Sequence, residues 1–555
     1  MNEPAAPVLH EPLAPALRER WMYGALAALL ALVWFATLSG RPLFNPDEGR
    51  YAEIPREMLS GGDWVIPHLN GLAYIEKPPL QYWATAVSYR LLGPTPFAAR
   101  LYSALTALGT VYLVWLTARR LWGPDAGYRA VAVIGGMLMF VVLGQLLTLD
   151  MSLTFYMTSS LAAFLLAQQA PRPRPWMLLA WAAAGGAMLT KGLVAVAIPG
   201  AVLLLYSAYS RDFTPWRRLY LKWGLPLFLC ITVPWHWLAA RRLADFLDFF
   251  FVHEHFARYL SPIADRQEPW WFFAGVFLAG SVPWTLPALR VLGGGWRRRA
   301  PPAGFDPGLF LWIWMAFIGV FFSLSDSKLM PYILPVMPAL ALLIAALPAQ
   351  RLRRDFLVTA VLTLIAGLAL AAASLHWASV ISSSDRSAYF LPLAKPAREI
   401  GVLLAMSGAY VLLRRREDAT RTGVFLGVGW CLAWLLLIHA GAAVAPIYSG
   451  VDLAAGLPTA EREAPVYSVA TYDQSLTFYL QRPVTLVAYR GELDYGLRKA
   501  PGAEIVDVAQ FVALWSSQTG AYAVMEKSMF RDLQSRGVPM RLAAENANRV
   551  MVARP

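Results

Sequence analysis

Charged residues are scarce in this sequence. They make up 15% of its 555 residues, whereas soluble proteins usually carry about 25%. Hydrophobic residues make up 57%, and long apolar runs recur between residues 22 and 442. Such runs are typical of helices that cross a lipid bilayer. The composition therefore excludes a soluble globular protein for most of the chain.

Cysteine is almost absent as well. Cys230 and Cys431 both lie in apolar segments, which is typical of inert core residues and not of a disulfide framework. The net charge of +13 does not indicate a nucleic-acid partner, because residues 443–555 carry eleven basic and eleven acidic side chains. The basic excess belongs to the apolar part, where it determines topology and favours contact with anionic membrane lipids.

The apolar runs predict about thirteen transmembrane helices of roughly 20 residues each. We predict an α-helical polytopic membrane domain, residues 1–442, and a C-terminal soluble α/β domain, residues 443–555. The predicted spans lie near residues 22–40, 97–118, 130–147, 152–168, 176–189, 193–209, 223–240, 271–289, 308–324, 332–348, 355–375, 397–413 and 423–442. Alternating and apolar patterns in the tail predict strands at 466–470, 484–488, 521–525 and 549–553, and helices at 507–517 and 527–537.

Lysine and arginine gather in alternate connections between these spans, as in Arg119–Arg120, Arg297–Arg299 and Arg414–Arg416. Short cytoplasmic loops of membrane proteins carry such an excess, so these connections are predicted to be cytoplasmic. The loop of residues 41–96 and the C-terminal domain then lie on the outer side of the membrane.

The outer loop 41–96 is crowded with charge. Its sequence NPDEGRY starts at residue 45, and helical spacing places Asp47 and Arg50 on one face. A structural interpretation stays open, in which the asparagine caps a helix, Glu48 closes a capping box, and Pro55 bends or ends the helix. The functional interpretation is a catalytic loop.

Four further candidates lie at outer span ends. Lys77 precedes two prolines that stiffen the backbone, and it is either a phosphate ligand or a solvated lysine. Asp150 ends an apolar run, where a carboxylate is often functional but also caps helices. Lys191 is a second phosphate ligand or a plain turn lysine, and Tyr332 a ligand or an interfacial aromatic.

A metal site is a weaker candidate. Glu76 together with His253 or His255 offers ligands that suit a divalent ion such as zinc. A His-x-His pattern in a loop is not specific, and the sequence does not require a cofactor.

The order of these blocks resembles a known family. NPDEGRYAEIPREM, GGDWVIPHLNG and EKPPLQYWATA in the outer loop are followed by Asp150, by TKG and by SKLMPYILPVMPAL. This order is similar to the polyprenyl-phosphate-dependent GT-C glycosyltransferases, closest to the bacterial aminoarabinose transferases that modify lipid A. The resemblance covers nearly the whole membrane part.

The resemblance implies a function. It implies transfer of 4-amino-4-deoxy-L-arabinose from undecaprenyl phosphate to a lipid A phosphate, at the periplasmic face of the bacterial inner membrane, giving resistance to polymyxin and other cationic peptides. It implies that Asp47 and Asp150 are the essential acids. The residues expected to contact the carrier phosphate are Lys77, Arg50, Arg258, Tyr332 and Lys191.

The chemistry expected from this family is an inverting displacement at the anomeric carbon, with cations neutralising the leaving phosphate. An acceptor phosphate is already ionised and needs no general base, so we expect Asp47 or Asp150 to pair with the sugar ammonium or with Lys77, or to orient the acceptor.

Three other functions stay open. One is a protein O-mannosyltransferase of the same fold, in which Asp47 is the base for a hydroxyl acceptor. Another is a transporter of lipid-linked sugars, although transporters place their charges near the bilayer midplane. The last is a sensor or binding module formed by the C-terminal domain.

Overall fold

The computed structural model describes residues 13–257, 267–294, 304–381 and 387–555. Within these ranges seven helices are long and apolar enough to cross a membrane, and an eighth span is formed if Pro124–Gly136 and Leu138–Gly144, which meet at a 70° bend, count as one. The seven are Trp21–Ser39, Pro96–Trp122, Leu149–Gln169, Leu221–Arg242, Ala349–Leu375, Ser387–Leu413 and Ala419–Tyr448.

The other five predicted spans also coincide with helices, but these are shorter, broken or less apolar. They are Pro173–Lys191, Val194–Ser210, the pair Phe272–Gly280 and Thr285–Leu292, Pro307–Ser323, and Val336–Ala345. Val336–Ala345 is buried along its whole length, so neighbouring helices surround it. Packing against protein allows a helix in the membrane to be shorter or interrupted.

The loops rich in arginine contact one another at one end of the helices. Arg218 donates to the carbonyl of Gln168 over 2.5 Å, and Arg353 donates to the carbonyl of Glu417 over 2.9 Å. The helix Pro96–Trp122 carries Arg119 and Arg120 in its last turn. It starts at the end of the outer loop 41–96, which is called the charged loop from here on. The charged loop and the basic connections therefore lie at opposite ends of the helical domain.

The charged loop is well ordered. It consists of the helix Asp47–Gly61, a hairpin of strand β1 (His68–Leu69) and strand β2 (Leu72–Ala73), and the helix Leu80–Leu92. The first helix does not end at Pro55 but continues to Gly61, where Gly62 adopts a left-handed conformation, with φ of 72°. The expected end at Pro55 is thus wrong.

The C-terminal domain contains one six-stranded sheet. The strands are β3 (Val466–Val469), β4 (Thr485–Val487), β5 (Glu504–Ile505), β6 (Tyr522–Glu526), β7 (Arg541–Glu545) and β8 (Arg549–Ala553), in the order β5-β4-β3-β6-β8-β7. The first four in that order are parallel, and β8 and β7 are antiparallel to their neighbours. The four predicted strands and two predicted helices, Val508–Ser517 and Lys527–Ser535, are confirmed. Sequence patterns missed β5, which has two residues, and β7, which lacks β-branched residues.

The two faces of this sheet pack against different partners. Tyr467, Val469 and Met525 face a core that includes Trp515 of the domain's own helix. Val466, Val524 and Met551 lie in another core, together with Ile54, Met58 and Tyr82 of the charged loop. Alternate residues of each strand point to opposite faces, so the loop forms the third layer of the C-terminal domain.

Candidate functional site

The anchor of the charged loop is Glu48, whose residue is 3% exposed. Its carboxylate accepts hydrogen bonds from Arg41 Nη2 at 3.0 Å and from Arg100 Nε at 2.8 Å. The backbone N–H groups of Phe44 and Leu147 also donate to it, at 3.1 and 3.0 Å. Burial by itself raises the pKa of the Glu48 carboxyl, but Arg100 and Arg41 outweigh it and hold the pKa far below its ordinary value.

The capping box expected at the start of the loop helix is absent from the described residues. Pro46 occupies the N-cap position and makes no side-chain cap. The side chain of Asn45 instead donates to Asp473 Oδ1 at 2.8 Å and accepts from the backbone N–H of Ser475 at 2.8 Å. The Asn45 side chain is therefore committed to a tertiary contact with the C-terminal domain.

Asp47 and Arg50 form a pair on one helix face, as predicted. Arg50 Nη1 donates to Asp47 Oδ1 at 3.0 Å, and the Arg50 guanidinium lies 5.7 Å from the centre of the Tyr51 ring. Arg50 Nη2 forms a second ion pair with Glu492 of the C-terminal domain. The Arg50 side chain is 11% exposed and that of Asp47 47%, so the arginine is held inside and the acid reaches solvent.

Lys77 lies in a second ion pair. Its Nζ donates to Glu254 Oε2 at 2.8 Å and to the carbonyl oxygen of Glu76 at 2.9 Å. The side chain of Lys77 is 17% exposed and that of Glu254 4%. The expectation that Asp47 or Asp150 pairs with Lys77 is wrong, because the π-helix Asp248–Ala257 brings Glu254 to the lysine instead.

Asp150, Lys191 and Tyr332 come together from three parts of the chain. Lys191, in the last turn of the helix Pro173–Lys191, forms an ion pair with Asp150. The Lys191 Nζ also lies 4.7 Å from the centre of the Tyr332 ring, a cation–π distance. Asp150 does not cap the helix, since Thr148 is at the N-cap position and Asp150 lies in the first turn.

Tyr51 connects these groups. Burial raises the pKa of the Tyr51 hydroxyl, and the nearby carboxylates of Asp47, Asp150 and Glu76 raise it further, while Arg50 opposes them. The charges of Asp47, Asp150 and Glu76 therefore act on one buried tyrosine, whose ring lies beside the Arg50 guanidinium. The arrangement can hold an anion between several cations, with carboxylates beside it.

Part of the predicted site cannot be placed. Arg258 lies outside the described residues, and so does the side chain of His255. His253 Nδ1 lies 3.5 Å from Glu254 Oε1. In the described ranges no three His, Cys, Asp or Glu side chains form a group that could hold a metal. The metal site at Glu76, His253 and His255 thus stays a prediction.

The loop helix also contains a buried acidic pair. Glu53 binds Arg56 through two hydrogen bonds of 2.6 and 2.7 Å, and the neighbouring Glu57 accepts from the Gly71 N–H at 2.9 Å. Burial, followed by the charge of Glu53, raises the pKa of Glu57 to about 8. Glu57 therefore keeps its proton in the folded protein at neutral pH.

This raised pKa predicts that stability falls with pH. The folded state binds the proton more tightly than the unfolded chain, so the stabilisation is complete below the ordinary glutamate pKa of about 4.3 and is lost as pH rises towards about 8. We expect the unfolding temperature of the wild type to fall from pH 5 to pH 8.5, and Glu57→Gln to flatten this dependence. The exposed Glu526 is the control, and an equal slope in Glu57→Gln and wild type would contradict the assignment.

Comparison with known proteins identifies the family. The chain is 32% identical to the undecaprenyl phosphate-alpha-4-amino-4-deoxy-L-arabinose arabinosyl transferase of Pectobacterium carotovorum, over 88% of this chain and 89% of the relative. It is 30% identical to the undecaprenyl phosphate-alpha-4-amino-4-deoxy-L-arabinose arabinosyl transferase 2 of Pseudomonas fluorescens, over 91% of this chain and 88% of the relative. This chain belongs to the aminoarabinose transferase family.

Other matches agree with this family. Residues 454–554 match the aminoarabinose transferase C-terminal domain, and residues 76–237 match the dolichyl-phosphate-mannose-protein mannosyltransferase family. The crystal structure of ArnT from Cupriavidus metallidurans bound to undecaprenyl phosphate is 34% identical, with a TM-score of 0.87 over 96% of this chain and 98% of that chain. The protein is thus a membrane glycosyltransferase with the GT-C fold.

Two residues of this aminoarabinose transferase site were missed by sequence reasoning: Glu254 and Glu492. Glu254 lies among several other charged residues of the loop 241–270, and Glu492 lies in a tail whose acids and bases are balanced. No local pattern distinguishes either one, because each acquires its role from a partner far away in the sequence.

Proposed function

We propose that this protein transfers 4-amino-4-deoxy-L-arabinose from undecaprenyl phosphate to a phosphate group of lipid A, at the periplasmic face of the bacterial inner membrane. The observation that carries the proposal is a set of three cations, Lys77, Arg50 and Lys191, each held in an ion pair with a carboxylate at the end of the molecule opposite the basic connections. The ArnT relative was crystallised with undecaprenyl phosphate, which supports a polyprenyl phosphate as the donor carrier.

The three cations would neutralise the leaving group. When the bond from the anomeric carbon to the carrier oxygen breaks, the carrier phosphate gains negative charge, and positioned cations stabilise that charge. Lys77, Arg50 and Lys191 are each paired with a carboxylate. A carrier phosphate would therefore exchange with Glu254 at Lys77, and the lysine stays oriented before the lipid arrives.

The two acids would orient these cations and the sugar. A lipid A phosphate attacks the anomeric carbon as an anion, and inversion follows from attack on the face opposite the leaving phosphate. Asp47 fixes Arg50 at 3.0 Å, and Asp150 fixes Lys191. The half-exposed Asp47 carboxylate is also suitably placed to meet the ammonium group of an amino sugar.

The acceptor is tested by deletion and complementation. We expect lipid A from a strain lacking this protein to lose the aminoarabinose mass increment, and the strain to become sensitive to polymyxin. The wild-type gene should restore both properties and the Asp47→Asn variant neither. Identical lipid A spectra from parent and deletion strains would overturn the proposal. Transfer of a radiolabelled carrier-linked sugar to a protein hydroxyl would favour the mannosyltransferase alternative.

Chelation tests the metal prediction. Lys77, Arg50 and Lys191 would already supply positive charge for the leaving phosphate, so we expect transfer by the purified protein to survive chelation and dialysis. Elemental analysis of the same sample reports bound zinc. Loss of activity that zinc restores would instead assign a metal to Glu76, His253 and His255.

A further inference from the structure

The ion pair between Arg50 and Glu492 joins the charged loop to the C-terminal domain. Glu492 lies in the short 3-10 helix Gly491–Leu493, and its side chain is 13% exposed. Arg50 thus has one carboxylate on each side, Asp47 from its own helix and Glu492 from the domain. No sequence pattern assigns a role in the site to this glutamate.

Glu492 is itself held in place. Gln474 Nε2 donates to Glu492 Oε1 at 2.7 Å. Gln474 begins the helix Gln474–Leu480, which Asp473 caps through its side chain, and Asp473 also pairs with Arg549 at 3.0 Å. The carboxylate that meets Arg50 is therefore fixed to the framework of the domain.

The two helices meet backbone to backbone near this pair. A Cβ atom added at Gly49 would lie 2.4 Å from the backbone nitrogen of Ser475, a distance that excludes any side chain at position 49. Asn45 bonds to Asp473 and Ser475 at the same contact. The loop helix and the domain helix therefore keep one fixed spacing, which a flexible linkage between separate modules would not provide.

We propose that Glu492 is a positioning residue for the donor site, through which the C-terminal domain holds Arg50 in the orientation that meets the carrier phosphate. The inference rests on the proposed function of Arg50. Without Glu492, Arg50 would be held through Asp47 alone, whose side chain is 47% exposed, and ion pairs in solvent fix side chains weakly. The domain is then a structural part of the donor site and not a separate sensor.

The test measures binding and turnover in a double-mutant cycle. The variants are Glu492→Gln, Arg50→Gln and both together, with Glu492→Asp as the conservative change. Thermal stabilisation by undecaprenyl phosphate reports donor binding, and the KM values for donor and acceptor are measured separately. Glu545→Gln, which alters an exposed ion pair of the same domain, is the matched control.

We expect Glu492→Gln to weaken undecaprenyl phosphate binding and raise the donor KM by about tenfold, with the acceptor KM and the Glu545→Gln control unchanged. Glu492→Asp should recover part of the loss. In the Arg50→Gln background the same change should have little further effect, since residues that act through one another are not additive.

Two results would overturn the inference. One is that Glu492→Gln weakens donor binding equally in the wild-type and Arg50→Gln backgrounds. The other is that Glu492→Gln lowers the unfolding temperature and leaves donor affinity unchanged. If Glu492→Gln does not fold, Gln474→Leu removes the hydrogen bond to Glu492 and should weaken donor binding in the same direction. Failure of the proposed function would give a different result. The wild-type protein would then leave lipid A unmodified, whatever the double-mutant cycle shows for binding of undecaprenyl phosphate.

Discussion

Replacing Lys77 with alanine is expected to lower kcat/KM for the donor by about 10²–10³-fold. Lys77 directly precedes two prolines that stiffen the backbone of the loop, and its ammonium group donates to Glu254 at 2.8 Å. The charge is therefore held in one position. Removing it takes away one of the three cations proposed to stabilise the developing charge on the carrier phosphate. Steady-state transfer with purified protein and a synthetic polyprenyl-linked sugar measures the effect.

The matched control for this prediction removes the partner as well. Lys77→Ala removes the ammonium group that donates to the Glu254 carboxylate, whose side chain is 4% exposed, and loss of one partner of a buried ion pair is destabilising. The double variant Lys77→Ala with Glu254→Gln relieves that charge. We expect it to regain thermal stability but not activity. Recovery of transfer in the double variant would show that Lys77 serves only to neutralise Glu254.

Replacing Glu48 with glutamine is expected to destabilise the fold by about 3–5 kcal/mol. The change leaves Arg41 and Arg100 facing each other without a counter-charge, and they are 4% and 0% exposed. Arg100 also donates to the carbonyl oxygens of Leu38 and Pro42, both at 2.7 Å. Disruption would therefore spread from the first span to the charged loop. Thermal unfolding and size-exclusion chromatography of the solubilised protein measure it.

The neighbouring acid provides the contrast. Asp47→Asn changes a half-exposed carboxylate whose ion pair within the described part of the chain is with Arg50, so its stability cost should stay below about 1 kcal/mol while transfer is lost. A Glu48→Gln protein that unfolds at the wild-type temperature would refute the structural role of Glu48. The two acids are adjacent in sequence, and their different surroundings predict a structural role for Glu48 and leave Asp47 available for the proposed function.

Much of the fold follows from local pattern. Each predicted span overlaps a helix, because hydrophobic length and period are properties of a short stretch. The number of spans does not follow from hydrophobic length alone, since a helix such as Val336–Ala345 is surrounded by protein and can be shorter than the bilayer is thick. Alternation predicted β3 and β8 but not β7, whose residues are half-exposed on an edge.

The candidate site was predicted in part. The face shared by Asp47 and Arg50 followed from helical spacing, and it is confirmed by their contact. The capping interpretation of Glu48 was equally consistent with the sequence and is wrong, because Arg41 and Arg100 reach the carboxylate from other segments. Local rules cannot decide between two roles when the competing partner comes from elsewhere.

The sequence by itself determined the class of protein, the approximate positions of the membrane helices and the loop that carries the charges. These depend on composition and period over one or two dozen residues. Only the tertiary structure decided the pairing of Lys77 with Glu254, of Lys191 with Asp150 and of Arg50 with Glu492. An ion pair forms where folding places two side chains a few ångströms apart, and for these pairs the packing of distant helices and of the C-terminal sheet fixes that distance.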